Sequence, residues 1–215
     1  MRALFRDRSE AGDRLAERLL RYRDRSCIVL AIPRGGVPVG YEVSRRLDCP
    51  LDLVLPRKLP IPWSPEAGFG AIMQDGTRVL DQEMVARLGL ADSEIDAIGE
   101  EVLQEIRRRA AVYRGKRSEP EIAARVAILV DDGLASGYTM LAAIRAVRKQ
   151  RPQAVVAAVP VTPRSSLEKV ARSADETVAL YVSDALPFAV ASFYRSFPDL
   201  TDAEVKRYLE EASAQ

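Results

Sequence analysis

The sequence contains no histidine, and this absence removes several kinds of catalytic site. Without an imidazole group, a Ser-His-Asp hydrolase, a histidine-ligated metal centre and a histidine general base are all excluded. Any chemistry must therefore use carboxylates, arginine, lysine, tyrosine, backbone amides or a metal ion that arrives with the substrate.

Cysteine, excess charge and long apolar runs are also scarce. The two cysteines, Cys27 and Cys49, form neither a disulfide framework nor a zinc-binding spacing, which indicates a reducing cytoplasm. Lysine and arginine number 32 against 31 acidic residues, and a net charge of +1 argues against bulk nucleic-acid binding. No apolar run approaches the about 20 residues that span a bilayer, and the charged N-terminus does not resemble a signal peptide. We therefore expect a cytoplasmic protein of one domain that binds neither nucleic acid nor membrane.

Short apolar runs alternate with amphipathic segments along the chain, and this alternation predicts an α/β fold. Helical patterns between the strands imply right-handed crossovers, hence a doubly wound, mostly parallel five-stranded sheet with helices on both faces. A capping box at Thr201 and Glu204 predicts a last helix over 202–212. The five predicted strands are 26–32, 51–55, 126–131, 154–160 and 176–182.

The segment 56–70, "PRKLPIPWSPEAGFG", carries four prolines, which predict an irregular functional loop or lid. It is followed by an insertion over 71–115. The insertion is expected to hold a hairpin turning at Asp75 and Gly76, then two helices, the second ending at Gly115. A homodimer through residues 71–114 is a further expectation.

The segment "VAILVDDGLASGYT" (126–139) has the clearest chemical signal. Its glycines and hydroxyls precede a helix expected from about Tyr138, so free amides and the helix dipole form a cup for one phosphate. The carboxylates of Asp131 and Asp132 only accept hydrogen bonds, and the vicinal hydroxyls of a ribose are suitable donors. The pattern therefore fits a ribose 5-phosphate unit. The alternative is that the two acids merely cap a turn.

The segment "PRGG" (33–36) follows another predicted strand. Arg34 offers planar paired donors, and Gly35 and Gly36 expose amides, so this loop suits a second anion. Taken alone, a simple turn with a solvated arginine is the favoured interpretation.

Together, "LVDDGLASGYT" and "PRGG" resemble the ribose-phosphate and pyrophosphate loops of type I phosphoribosyltransferases. The order of elements agrees with that family over roughly residues 26–182. The start "FRDRSEAGDRLAERL" and the tail "FYRSFPDLTDAEV" resemble an uncharacterised bacterial branch. The resemblance implies a type I phosphoribosyltransferase-like fold.

The resemblance also implies a role for each loop. Asp131 and Asp132 would hold the ribose hydroxyls and meet Mg²⁺ mostly through substrate and water. Arg34, Gly35 and Gly36 would contact pyrophosphate, often through a non-proline cis peptide in this family. The remaining substrate-binding residues form the phosphate loop: Gly133, Leu134, Ala135, Ser136, Gly137, Tyr138 and Thr139.

The resemblance has no firm match for the family's mobile catalytic loop, although 56–70 lies in the expected region. Arg57 and Lys58 are the catalytic candidates there, with plain surface charges as an equally weighted alternative. Glu66 is a candidate base. Trp63 is a candidate for stacking on an acceptor, and the aromatic residues near the C-terminus are expected to be core.

The implied activity is a magnesium-dependent phosphoribosyltransferase that joins a nitrogenous acceptor, such as a nucleobase, to ribose 5-phosphate from phosphoribosyl pyrophosphate. The alternative is a regulatory protein that senses phosphoribosyl pyrophosphate or a nucleotide without catalysis. The intact "PRGG" segment favours the enzyme, because a sensor need not hold pyrophosphate. A dinucleotide-dependent oxidoreductase is excluded, because the glycine fingerprint is absent.

Overall fold

A computed structural model describes residues 3–115 and 120–214, apart from the side chains of residues 65 and 66. Its helices and strands, in chain order, are α1 (Arg8–Leu19), β1 (Cys27–Ala31), α2 (Gly36–Leu47), β2 (Leu51–Leu53), β3 (Arg57–Ile61), β4 (Ser64–Ile72), β5 (Arg78–Leu80), α3 (Gln82–Leu88), α4 (Asp92–Arg114), β6 (Val126–Val130), α5 (Tyr138–Lys149), β7 (Ala154–Pro163), α6 (Arg164–Ala171), β8 (Glu176–Ser183) and α7 (Asp202–Ser213).

Five parallel strands form the main sheet, in the order β2-β1-β6-β7-β8. Alternate residues of the central strands enter two different cores. Val29 and Ile128 face the core shared with α1, α2 and α7, whereas Leu30 and Leu129 face the core shared with α5. The predicted α/β fold, with helices covering both faces of the sheet, is confirmed. No helix in 3–115 or 120–214 has the length and apolar character needed to cross a bilayer.

The insertion between β2 and β6 forms a separate antiparallel sheet, in the order β3-β4-β5, followed by α3 and α4. The hairpin between β4 and β5 is confirmed, but its turn is shifted by one residue. The Gly76 amide donates to the Met73 carbonyl over 2.9 Å, so Gln74 and Asp75 are the central residues. Gly76 follows them with a φ of 79°, which suits glycine.

The expectation that 56–70 has no regular structure is wrong. Residues of β3 and β4 pair across a two-residue turn, with Ile61 opposite Ser64. Pro62 lies in that turn, and the register shifts on both sides of Pro60. Since β3 is an edge strand, a proline that cannot donate to the ladder is tolerated there.

The two cysteines are neighbours, which the sequence spacing did not predict. Their Cα atoms lie 5.8 Å apart and their sulfur atoms are in bonding contact. Cys27 begins β1 and Cys49 precedes β2, and these two strands are adjacent and parallel. Sheet topology therefore brings together residues that are 22 positions apart in the chain.

Candidate active site

The two predicted ligand loops meet at one edge of the sheet. The loop 32–36 follows β1 and the loop 131–137 follows β6, and these strands are neighbours. The Ile32 amide donates to the Val130 carbonyl over 2.9 Å, which ties the loops together. The chain passes from β1 to one side of the sheet and from β6 to the other, so the loops flank the switch point where α/β folds bind ligands.

Close packing explains the two glycines of the first loop. A Cβ atom at Gly35 would overlap the Asp132 carboxylate, and one at Gly36 would lie 2.7 Å from the Val130 carbonyl oxygen. Only glycine therefore lets the first loop lie directly against the paired acids. The peptide bond between Pro33 and Arg34 is cis, as the resemblance implies.

The two acids differ in their surroundings. The Asp131 carboxylate accepts a hydrogen bond from the Asp132 amide over 2.8 Å, and its pKa is raised well above the usual range by burial and by the charge of Asp132. Asp132 pairs through Oδ2 with the Nε of Arg8 at 2.8 Å. Burial also raises the pKa of Asp132, while Arg8 opposes that effect. Full ionisation of this pair is therefore less favourable than that of two free carboxylates.

The phosphate loop divides into a buried part and an open part. Leu134 donates its amide to the Val161 carbonyl over 2.9 Å and buries its side chain, and Gly133 is packed against Val190. The fold therefore uses the amide and side chain of Leu134, whose role in substrate binding stays a prediction. Ala135 and Ser136 are exposed.

The loop ends in a left-handed residue and a helix start. Gly137 has a φ of 82°, and α5 begins at Tyr138 as predicted. Thr139 lies in the first turn of α5 and is half-buried. The amides at this end of α5 and the Thr139 hydroxyl can therefore donate to one phosphate.

A cavity of about 540 Å³ lies beside the two loops. Asp131, Thr139, Arg57 and Lys58 all line it, so four predicted site residues are brought together. The rest of its wall includes apolar side chains of α4 and of the loops after β1 and β2, together with the charged residues Glu101, Glu105 and Arg109.

Arginines cluster at this cavity. The pKa of Arg57 is lowered by burial and by the nearby charges of Arg109 and Arg34, while Glu105 opposes this effect. Glu105 provides a counter-charge, 3.5 Å from Arg57, and its bonds to Arg108 and Arg109 lower its pKa to about 2. A partly compensated cationic cluster of this kind favours an anion with more than one charge.

Arg34 pairs with an acid outside the two ligand loops. Its guanidinium lies 3.8 Å from Asp202, whose carboxylate also accepts a hydrogen bond from the Tyr113 hydroxyl over 2.6 Å. Arg34 is one-third exposed, and its neighbour Pro33 lines the cavity.

Sequence reasoning missed Arg8, which is nine-tenths buried against Asp132. The Tyr194 hydroxyl donates to the Asp132 carbonyl over 2.6 Å. The sequence predicts that the aromatic residues of the tail are core, and Phe193 and Tyr194 are indeed buried. The sequence signal for this contact is the charged segment at the start and the aromatic segment in the tail. In the sequence these segments indicate a family resemblance but do not indicate that they contact each other.

Of the two candidates for the acceptor chemistry, Trp63 and Glu66, only the first has a described side chain. Trp63 lies at the β3–β4 turn with 66% of its surface exposed, and it does not line the cavity. The side chain of Glu66 lies outside the described part of the structure.

Two carboxylates are too few for a closed metal centre. In the described ranges no group of three or more His, Cys, Asp or Glu side chains could hold a metal ion. A hard cation such as Mg²⁺ binds through one or two carboxylates and takes its other oxygen ligands from phosphates and water. Asp131 and Asp132 fit that pattern.

Comparison with known proteins assigns the family. Residues 74–185, which are 112 of the 215 residues, match the Phosphoribosyl transferase domain family. Two Mycobacterium tuberculosis proteins, from strains CDC 1551 / Oshkosh and H37Rv, are 42% identical over 209 residues and are named only provisionally as phosphoribosyl transferases. The matched region is 97% of this chain and 47% of theirs, so the chain spans about half the length of the curated relatives it matches.

A protein of known crystal structure from Thermus thermophilus is 40% identical, with a TM-score of 0.80 over 98% of this chain and 99% of that chain. A protein from Aquifex aeolicus shares the fold at 13% identity, with a TM-score of 0.50 over 82% and 74% of the two chains. The family match includes the loop that carries Asp131 and Asp132 and extends over more than half of the sequence. The chain therefore belongs to the phosphoribosyl transferase domain family.

Proposed function

We propose that the protein transfers ribose 5-phosphate from phosphoribosyl pyrophosphate to a nitrogenous acceptor, with release of pyrophosphate. The observation that carries the proposal is the meeting of two loops at the switch point. Gly35 and Gly36 pack on Asp131 and Asp132, and the open end of the phosphate loop lies beside them. A ligand with a diol between two phosphate groups fits this order of donors and acceptors.

We assign each part of phosphoribosyl pyrophosphate to a group of residues. Asp131 and Asp132 accept hydrogen bonds from the ribose hydroxyls, and residues 135–139 donate to the 5-phosphate. Arg34 and the amides of Gly35 and Gly36 donate to pyrophosphate. The non-bridging phosphate oxygens accept charge-assisted bonds, which are about twice as strong as neutral ones.

The cavity beside Asp131 is the proposed acceptor site. Ile32, Leu55 and Ile106 give it an apolar side, which keeps water from competing with the acceptor. The acceptor nitrogen forms a bond to C1 of the ribose with its lone pair, while the bond from C1 to the pyrophosphate oxygen breaks. Pyrophosphate leaves with that electron pair, and the proton displaced from the acceptor passes to a base.

Charge neutralisation is the main contribution of this chain to that step. Negative charge develops on the leaving pyrophosphate, and Arg34 and Arg57 are proposed to neutralise it. Asp131 and Asp132 would hold Mg²⁺ together with the substrate and water, and the ion would further neutralise the phosphate oxygens. Lys58 is proposed to act from the β3–β4 hairpin, which we propose as the lid.

The test is a screen of nucleobases and amines with labelled phosphoribosyl pyrophosphate and Mg²⁺, following pyrophosphate release. Acceptor-dependent release supports the enzyme. Calorimetric binding of phosphoribosyl pyrophosphate without release with any acceptor favours the sensor instead, and absence of binding refutes both. Sedimentation of the same sample tests the proposed homodimer through residues 71–114.

A further inference from the structure

The buried ion pair between Arg8 and Asp132 joins the start of α1 to the ligand loop. The Nε of Arg8 lies 2.8 Å from Oδ2 of Asp132, and the two residues are 124 positions apart in the chain. Both side chains are largely buried, with 9% and 14% of their surfaces exposed. Pairs of this kind need further hydrogen bonds to offset the loss of hydration.

The tail of the chain provides those bonds. The Pro198 carbonyl accepts a hydrogen bond from Nη1 of Arg8 over 2.7 Å, and the guanidinium lies 3.6 Å from the centre of the Phe197 ring. On the opposite side the Tyr194 hydroxyl holds the Asp132 carbonyl. Asp132 is thus fixed at both its side chain and its backbone.

The two end segments also hold each other. Phe5 pairs with Tyr194 in a parallel bridge, and the Arg195 amide donates to the Phe5 carbonyl over 2.9 Å. We call residues 4–8 and 193–198 the terminal pair. The terminal pair places Arg8 on Asp132 through backbone contacts, so the ion pair does not depend on flexible surface side chains.

This arrangement matters because Asp132 has two close neighbours. The adjacent Asp131 carboxylate repels it, and Gly35 leaves no room for its side chain to move toward the first loop. Without Arg8, the two neighbouring carboxylates would stand side by side with no counter-charge, and rotation of one side chain would relieve their repulsion. Arg8 occupies Oδ2, so the ribose would meet Oδ1.

We propose that Arg8 is a positioning residue, which acts through Asp132 to hold the paired acids ready for the ribose hydroxyls of phosphoribosyl pyrophosphate. The inference rests on the proposed function and adds to it a residue from outside the two ligand loops. The terminal pair therefore supports the binding site through Asp132, although no atom of it is expected to touch the ligand.

A double-mutant cycle tests this coupling. Calorimetry measures the affinity for phosphoribosyl pyrophosphate with Mg²⁺ in wild type, Arg8→Met, Asp132→Asn and the double variant. We expect Arg8→Met to weaken binding by about tenfold or more in wild type, but less than about threefold when Asp132 is already replaced. Arg148→Met is the matched control, because Arg148 also pairs with an aspartate, Asp175, and bonds a carbonyl, yet is exposed.

Equal losses in both backgrounds, or wild-type affinity in Arg8→Met, overturn the inference and leave the proposed function intact. A wild type that does not bind phosphoribosyl pyrophosphate overturns the proposed function and this inference with it. If Arg8→Met does not fold, Arg8→Lys and Tyr194→Phe enter the same cycle. Arg8→Lys keeps the charge and should retain more affinity than any neutral replacement, and its loss must again shrink in the Asp132→Asn background. The Tyr194 hydroxyl bonds the Asp132 backbone carbonyl, which Asp132→Asn retains, so the loss in Tyr194→Phe should be equal in both backgrounds.

Discussion

Replacing Asp131 with asparagine is expected to stabilise the ligand-free protein while it weakens the binding of phosphoribosyl pyrophosphate. Burial and the neighbouring charge of Asp132 raise the pKa of Asp131, so its ionised form is unfavourable in the folded state. Its carboxylate accepts a hydrogen bond from the Asp132 amide, and an asparagine side-chain oxygen can accept the same bond. The change therefore removes a costly charge and should raise the free energy of unfolding by about 1 kcal/mol.

The same substitution at the next residue is expected to have the opposite effect. Asp132→Asn leaves the buried Arg8 guanidinium without its counter-charge, which costs about 3 kcal/mol. In a chain of this length, 1 kcal/mol corresponds to a change in Tm of about 2–4 °C. We therefore expect Asp131→Asn to raise Tm by about 3 °C and Asp132→Asn to lower it by about 9 °C at neutral pH.

Calorimetric unfolding between about pH 3 and pH 8 tests whether the charge of Asp131 is the cause of the higher stability of Asp131→Asn. A carboxyl group with a raised pKa in the folded state contributes stability that is fully present below its unfolded pKa of about 3.9 and is lost as the pH rises through its folded pKa. Wild type should therefore match Asp131→Asn at the acidic end and fall below it as the pH rises. A gain that is independent of pH, or a loss at neutral pH, would refute the assignment of a repelled, buried charge.

Binding supplies the second half of this prediction. Charge-assisted hydrogen bonds contribute about 1.5–3 kcal/mol each, so each variant should bind phosphoribosyl pyrophosphate about tenfold or more weakly. Isothermal calorimetry at a temperature where both variants are folded measures this. Wild-type affinity in both variants would mean that Asp131 and Asp132 do not hold the ribose.

Three further predictions concern the surroundings of the two acids. Gly35→Ala should cost more than about 2 kcal/mol of stability and abolish binding, because the new Cβ would overlap Asp132. Gly99→Ala is the control and should stabilise the protein by about 0.5–1 kcal/mol, because the nearest atoms lie 3.7 Å from the new Cβ. Thermal unfolding compares the two variants. Arg34→Gln should weaken calorimetric binding of phosphoribosyl pyrophosphate about tenfold and leave binding of ribose 5-phosphate unchanged; equal losses would contradict a pyrophosphate role. Phosphoribosyl pyrophosphate with Mg²⁺ should protect Lys58 from trypsin, and equal cleavage with and without the ligand would count against the β3–β4 hairpin as a lid.

The sheet and the ligand loops could be predicted because their signals are local. Each main-sheet strand is a short apolar run that ends near glycine, proline or acid, and the alternation with helices sets the parallel topology. The capping box at Thr201 and Glu204 was likewise sufficient to place the start of α7. In these cases neighbouring residues determine the conformation, so one sequence is enough.

The β3–β4 hairpin could not be predicted because its prolines are permitted only by their place in the sheet. Pro62 occupies a turn and Pro60 lies at an irregularity of an edge strand, and both facts depend on which strands pair. The same limit applies to Cys27 and Cys49, whose contact follows from the order of β1 and β2. Both features depend on which strands pair, and no local sequence pattern indicates that pairing.

The ion pair with Arg8 explains how two acids can lie next to a loop that binds a phosphate. Two free carboxylates would repel a ligand that carries several negative charges, at a cost that grows as water is excluded. Arg8 offsets the charge of Asp132, and burial beside Asp132 raises the pKa of Asp131, so ionisation of Asp131 is unfavourable without a donor. Hydroxyl donors of an incoming ribose would favour the ionised form of Asp131 by bonding to it. A simple phosphate or pyrophosphate ion brings no such donors, so this site should bind the ribosylated compound in preference to either ion.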